Sequence, residues 1–259
     1  MKKWWLLGLV FVTVVPVLAQ QEAAIWYFGR NAGLDFNSGT PVALTNGQLN
    51  TYEGSSSISD SNGNLLFYTD GITVWNRSHV PMPNGTGLLG DPSSTQSGII
   101  VPKSGNPNTY YIFTVGDSDN PVGMHYSEVD MIQGGGFGAV VNKNSPLISP
   151  TSEKLTADQH ANGTDYWVIT HGWENQAFYA FLVSSAGVST TPVTSNVGID
   201  LANPGPGKST RNAIGYLKVS PDGTKLAAAH SNIGAEMFTF DPSTGIVSNA
   251  IALSNERGV

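Results

Sequence analysis

A glycine-bearing polar turn that runs straight into an unbroken apolar strand, and then stops at Asp-Gly, limits this chain more than any other feature. It is Ser59-Asp60-Ser61-Asn62-Gly63-Asn64-Leu65-Leu66-Phe67-Tyr68-Thr69-Asp70-Gly71. Asn62-Gly63 suits the positive φ angles of a two-residue hairpin turn. Leu65, Leu66, Phe67 and Tyr68 are apolar at consecutive positions, which predicts a strand covered on both faces. The same grammar returns at Ser220-Pro221-Asp222-Gly223-Thr224-Lys225-Leu226-Ala227-Ala228-Ala229. Two copies of one turn-plus-strand unit point to a repeat architecture.

The remainder of the chain can be divided on that pattern. The first unit takes in Ile25-Trp26-Tyr27-Phe28-Gly29, the edge-like pieces 33–36 and 41–44, the organising stretch, and its hairpin partner Ile72-Thr73-Val74-Trp75-Asn76 across Asp70-Gly71. Residues 82–96, dense in Pro, Gly and Ser, read as a loop. A second unit has its buried strand at 110–116, a third at 166–170 and a fourth at 226–229. Long helical periodicity is missing, and a composition with 30 glycines and only 12% charged residues is that of a turn-rich, strand-rich chain.

Buried strands starting near 65, 110, 166 and 226 repeat at roughly 45–60 residues, within the range of propeller and kelch-type arrays. A four-stranded antiparallel sheet cannot bury both faces alone, so it stacks on neighbours around an axis. The expectation is therefore an all-β, β-propeller-like array of about four four-stranded antiparallel blades, WD-repeat-like in its turns. A two-sheet sandwich would alternate more cleanly. Four blades is the low end of the range of about 4–8 for propellers, and 254–259 fall where another inner strand should begin, so the array is expected to be incomplete.

The N-terminal residues 1–19 read as a cleaved signal peptide: Lys2-Lys3, an apolar run over 4–15, and small residues ending at Ala19, with the cut before Gln20. The run is shorter than the roughly 20 residues of a membrane span, so no membrane insertion is expected after cleavage, and the mature domain is 20–259. Without cysteine there is no lipid attachment, disulfide or thiol chemistry. A formal charge of −7 and a pI of about 5.0 argue against nucleic acid, which needs clustered Lys and Arg.

The motifs Trp26-Tyr27-Phe28-Gly29, Gly33-Leu34-Asp35-Phe36, residues 65–76, and His160-Ala161-Asn162-Gly163 with Tyr166-Trp167-Val168 carry a resemblance. In their order the chain resembles the N-terminal propeller-like region of large secreted Bacteroidetes proteins. Those proteins carry PKD-type, gliding-motility-associated C-terminal and type IX secretion sorting domains. The resemblance implies export, surface display and an adhesive or binding role toward protein or polysaccharide; it implies neither a ligand nor a catalytic residue.

The residues themselves bring no catalytic constellation, metal set or cofactor motif into view. Asp60-Ser61-Asn62-Gly63-Asn64 begins like a calcium loop, but position twelve is Gly71 rather than Glu. None of His79, His125, His160, His171 and His230 forms a zinc-type spacing. His160 and His171 flank one strand, could approach each other and are, with Trp173, the candidate partner contacts. Trp173, in a Gly-Trp-Glu-Asn turn, is the tryptophan expected to be exposed for stacking on a sugar or partner. Asp60, Gly63, Asp70, Gly71, Asp222 and Gly223 read as turn formers. Two functions remain: a non-enzymatic surface binding module, or a sialidase- or glycosidase-like propeller hydrolase. The second requires acidic residues converging on one mouth; Asp60, Asp70, Asp117, Asp158 and Asp222 are expected to spread around the rim instead.

Overall fold

The computed structural model describes residues 21–118, 122–202 and 210–254; the signal segment with its Ala19/Gln20 cut lies outside the described residues. The described chain is all-β. Its strands make five antiparallel sheets that follow one another in sequence. The first sheet holds β1 (Ile25–Phe28), β2 (Ala32–Asp35) and β3 (Val42–Leu44). The second holds β4 (Ser56–Ser59), β5 (Leu65–Thr69), β6 (Thr73–Asn76) and β7 (Pro81–Thr86). The third holds β8 (Gly98–Pro102), β9 (Thr109–Val115), β10 (Met124–Asp130) and β11 (Ala139–Ile148). The fourth holds β12 (Thr151–Gln159), β13 (Tyr166–Gly172), β14 (Ala177–Ser184), β15 (Gly187–Val188) and β16 (Val193–Asn196). The fifth holds β17 (Leu217–Val219), β18 (Lys225–His230), β19 (Gly234–Asp241) and β20 (Ile246–Ser254).

The unbroken apolar strands have a simple cause. Successive side chains of a strand point to opposite faces, and here each face meets a different neighbouring sheet. In β9, Tyr110 and Ile112 join Phe67, Val74 and Met82 on the side of the second sheet. Tyr111, Phe113 and Val115 join Leu155, Val168 and Phe181 on the side of the fourth. In β13, Val168 faces the third sheet while Trp167 and Ile169 pack with Leu226, Phe238 and Phe240 of the fifth. A smaller cluster of Tyr27, Leu49, Leu65 and Tyr68 joins the first sheet to the second. The innermost strands β4, β8, β12 and β17 contact one another in series, with β1 against β4, and form a hub.

Several expectations need correction. Residues 25–44 are a separate sheet, so there are five sheets rather than four, and they have three to five strands each. Pro81–Thr86, expected to be loop, is the outer strand of the second sheet. Ala139–Ile148 is an outer strand that periodicity hides, because bulges break its register against β10. β18 alternates instead of being fully buried: Leu226, Ala228 and His230 are buried while Ala227 and Ala229 are exposed. Its outward face has no sixth sheet against it among the described residues.

The Asn62-Gly63 turn is also larger than two residues. The Asp60 N–H donates to Asn64 O, the Gly63 N–H donates to Asp60 O, and only Gly63 has positive φ, at 81°. A frame one residue longer, with the same bond from the N–H of the glycine to the carbonyl three residues before it, recurs between the first two strands of the fourth and fifth sheets, at His160 to Asp165 and Ser220 to Lys225. A related frame at Lys103 to Asn106 serves the third. At Gly63 the first sheet closes over the turn: an added Cβ would run into Asn37 Oδ1 and come within 2.7 Å of Gln21 Oε1. Gly63→Val should therefore lose at least the roughly 1–2 kcal/mol that a forced positive φ costs. Urea denaturation measures this, and a wild-type midpoint would refute the turn assignment.

Candidate functional site

The four turn frames gather at one end of the hub, and a groove crosses it there. Its widest part, a cavity of about 570 Å³, is lined by Glu22, residues 57–61, Pro102, Pro107, Tyr110 and Tyr166. Pro102 and Tyr166 also line the next cavity, of about 330 Å³, which holds Asp158 and Gln159. Asp158 and Gln159 in turn line a third, of about 270 Å³, with His160, Pro221, Asp222 and Pro242. The three share walls, so the groove runs from the second sheet to the fifth.

Its carboxylates differ in how they are held. Burial works against the charge of Asp60, but the Asn64 side chain and the Asn64 and Asn62 backbone N–H groups outweigh it and hold this carboxyl below the usual range. Asp222 is also lowered, chiefly by the Ser220 hydroxyl, 2.6 Å away, and then by Thr224. Asp158 moves the other way: burial raises it, and the nearby charge of Asp222 adds to this. Burial, followed by the charge of Asp60, Glu22 and Tyr166, raises Tyr110; burial and then Glu22 raise Tyr166. None of the residues lining these three cavities is Lys or Arg.

The opposite end of the hub is packed solid with polar groups. β12 carries Glu153 and Lys154 side by side, and both are buried. Glu153 Oε2 accepts from Thr95 N at 2.9 Å and Thr95 Oγ1 at 2.7 Å, and Oε1 accepts from Ser118 N at 2.9 Å. Lys154 Nζ donates to the carbonyls of Asn212, Ala213 and Ile214 at 2.9, 2.8 and 3.2 Å. Burial pulls this ammonium down to about 7, against the opposing charge of Glu153. Behind it, His171 Nδ1 donates to Gly172 O at 2.8 Å, and its ring meets Phe178 and His230 edge-on. His171 falls to about 3, mainly through burial, with the charges of Lys154 and His230 adding to this. His230 Nε2 lies 3.4 Å from Glu236 Oε2. Lys154 and Glu153 are satisfied by backbone and hydroxyl groups, while the His230 ring nitrogens are buried without a hydrogen bond beyond the approach to Glu236; the cluster ties the fourth sheet to the fifth, and its chemistry is structural.

The residues singled out from sequence divide between the two ends. Asp60, Gly63, His160, Asp222 and Gly223 lie at the groove. Asp70 and Gly71 cap the opposite end, where Asp70 Oδ1 accepts from Ile72 N and Thr73 N. His160 and His171 do not approach: His160 precedes β13, stacked on Trp167 at 5.5 Å, and His171 lies within β13 near its far end. Trp173 is half-buried, its backbone N–H donating to Pro150 O, away from the groove; Trp26, read as core, is the more exposed tryptophan at 48%. The expected spread of aspartates is only partial, since Asp60, Asp158 and Asp222 share the groove. Tyr110, Tyr166 and the Glu153-Lys154 pair were not singled out. An adjacent charge pair inside a strand of a sparsely charged chain was the available signal for the last.

No family model matches the chain, and no curated protein does. Solved structures are similar at low identity. A candidate 6-phosphogluconolactonase from Bacteroides uniformis is 15% identical with a TM-score of 0.42, over 87% of this chain and 65% of that one. A β-propeller domain from Myceliophteria thermophila is 10% identical with a TM-score of 0.42, over 90% and 73%. A candidate exo-beta-1,3-galactanase from Bifidobacterium bifidum is 11% identical with a TM-score of 0.40, over 92% and 70%. The chain thus spans just under two thirds of the first of these.

Proposed function

We propose that this chain is a non-enzymatic binding module of a secreted or surface-displayed protein, built as an incomplete β-propeller-like array. Its ligand is a polymer at the cell surface, polysaccharide before protein. The groove carries this reading: it is long, walled by tyrosine and proline, and lined with carboxylates that accept hydrogen bonds from hydroxyl groups. Its place across the hub end fits a ligand that passes through rather than one that is enclosed. The resemblance to surface-protein propeller regions, with their gliding-motility and type IX sorting domains, accords with an adhesive role.

The test is affinity electrophoresis of the purified protein through gels containing neutral, acidic and amino polysaccharides. One of them should retard the protein, and Tyr166→Ala should weaken that retardation about tenfold, equivalent to about 1.4 kcal/mol. Equal retardation of the variant would reject the groove as the binding site. A second reading, a polysaccharide hydrolase, rests on one observation: Asp158 and Asp222 share a cavity while their environments push their pKa values apart, as in an acid and base pair. Release of reducing ends that is abolished in Asp158→Asn would replace the binding reading with this one.

A further inference from the structure

Resting on the reading that the groove binds a polymer, we propose that its ligand is a linear polysaccharide bearing protonated amino groups, a chain of amino sugars. Carboxylates are distributed along the whole groove rather than grouped at one point: Glu22 and Asp60 in the widest cavity, Asp158 in the middle one and Asp222 in the last. No Lys or Arg answers them from the walls; His160, in the last cavity, is the basic side chain among the lining residues. Asp60 and Asp222 are kept ionised by hydrogen bonds inside their own turns, so their charge persists whether or not a ligand is present. An acidic polymer would meet unrelieved repulsion. A neutral one would leave the half-buried Asp158 without a counter-charge, whereas an ammonium group supplies it.

The walls select the form in which that charge arrives. Tyr110 and Tyr166 stand with Pro102 and Pro107 in the wall of the widest cavity; Tyr110 is buried with its ring edge-on to Phe67, while Tyr166 is half-buried. The accessible rings of Pro102, Pro107 and Tyr166 are rigid surfaces that suit the C–H faces of sugar rings. An amino sugar carries its amine directly on a rigid ring, while a basic peptide must immobilise long lysine or arginine side chains at an entropic cost. A chain of amino sugars meets both the charge and the surface.

Isothermal titration calorimetry with three probes decides the matter: a glucosamine hexamer, its N-acetylated counterpart and hexalysine, at about pH 6. The glucosamine hexamer should bind at least about tenfold tighter than the acetylated one. That margin should collapse in about 0.5 M salt and in Asp158→Asn. Equal or tighter binding of the acetylated hexamer overturns the amine proposal while the polysaccharide reading stands. Tighter binding of hexalysine overturns it in favour of a basic peptide. If no probe binds, the amine proposal is rejected; the wider reading is then judged by the gels with neutral and acidic polymers.

Discussion

Lys154→Met lowers the stability of the protein by about 3–5 kcal/mol, the range seen when one partner of a buried polar network is removed. Methionine keeps the length and most of the volume of the side chain, so the loss is not one of packing. It comes from the carbonyls of Asn212, Ala213 and Ile214, which all accept from one ammonium group. With Met at 154 these acceptors stay buried and lose their donor, and each unsatisfied group costs about 1–3 kcal/mol. Glu153, the charge beside it, also loses its nearest counter-charge. Arginine is no rescue, because its planar fork cannot point three N–H bonds at three successive carbonyls. Guanidinium unfolding of wild type, Lys154→Met and Lys154→Arg measures this. A change below about 1 kcal/mol in the methionine variant would mean that water reaches the carbonyls.

The second large effect is acid sensitivity that originates in His171. Its ring is buried, bonded through Nδ1–H to Gly172 O and set edge-on against Phe178, and it titrates near 3 rather than 6.5. The unfolded chain therefore takes up a proton between those values that the folded chain refuses. Stability is complete above 6.5 and falls as pH drops toward 3. Each pH unit inside the window costs about 1.4 kcal/mol, so moving from pH 6.5 to 4.5 removes about 2–3 kcal/mol. His230 and His125 are displaced in the same direction by burial and steepen the fall. Lys154 adds no slope there, since it is protonated in both states below 7. Asp158 and Asp70, raised by burial, act with opposite sign at the low end. Calorimetric melting across pH 4.5–7.5 tests the claim. His171→Phe should flatten the curve, and an unchanged slope would assign the acid sensitivity to other groups.

The two ends of the hub differ in kind. At one end buried charges are fully answered by backbone and hydroxyl groups, which makes a joint between sheets. At the other, Asp60 and Asp222 are held by hydrogen bonds inside their own turns, and with Glu22 and Asp158 they line an open groove. The same strand, β12, supplies both: Glu153 and Lys154 near its start and Asp158 near its end.

The sequence alone determined the strand content, the glycine turns and the stacking of sheets, because these are local. A glycine at the end of a polar loop and apolar residues at consecutive positions act within a few residues of themselves. Pro81–Thr86 and Ala139–Ile148 escaped because an outer strand takes its place from its neighbour's edge and from bulges, not from its own pattern. Only the tertiary structure decided which polar residues meet. Lys154 finds its carbonyls about sixty residues away, Glu153 finds Thr95 about sixty residues back, and the groove draws on separate segments of four sheets and on Glu22 ahead of the first. Hydrogen bonds and cavities between such distant segments are set by how the sheets pack around the hub, and no spacing along the chain records that.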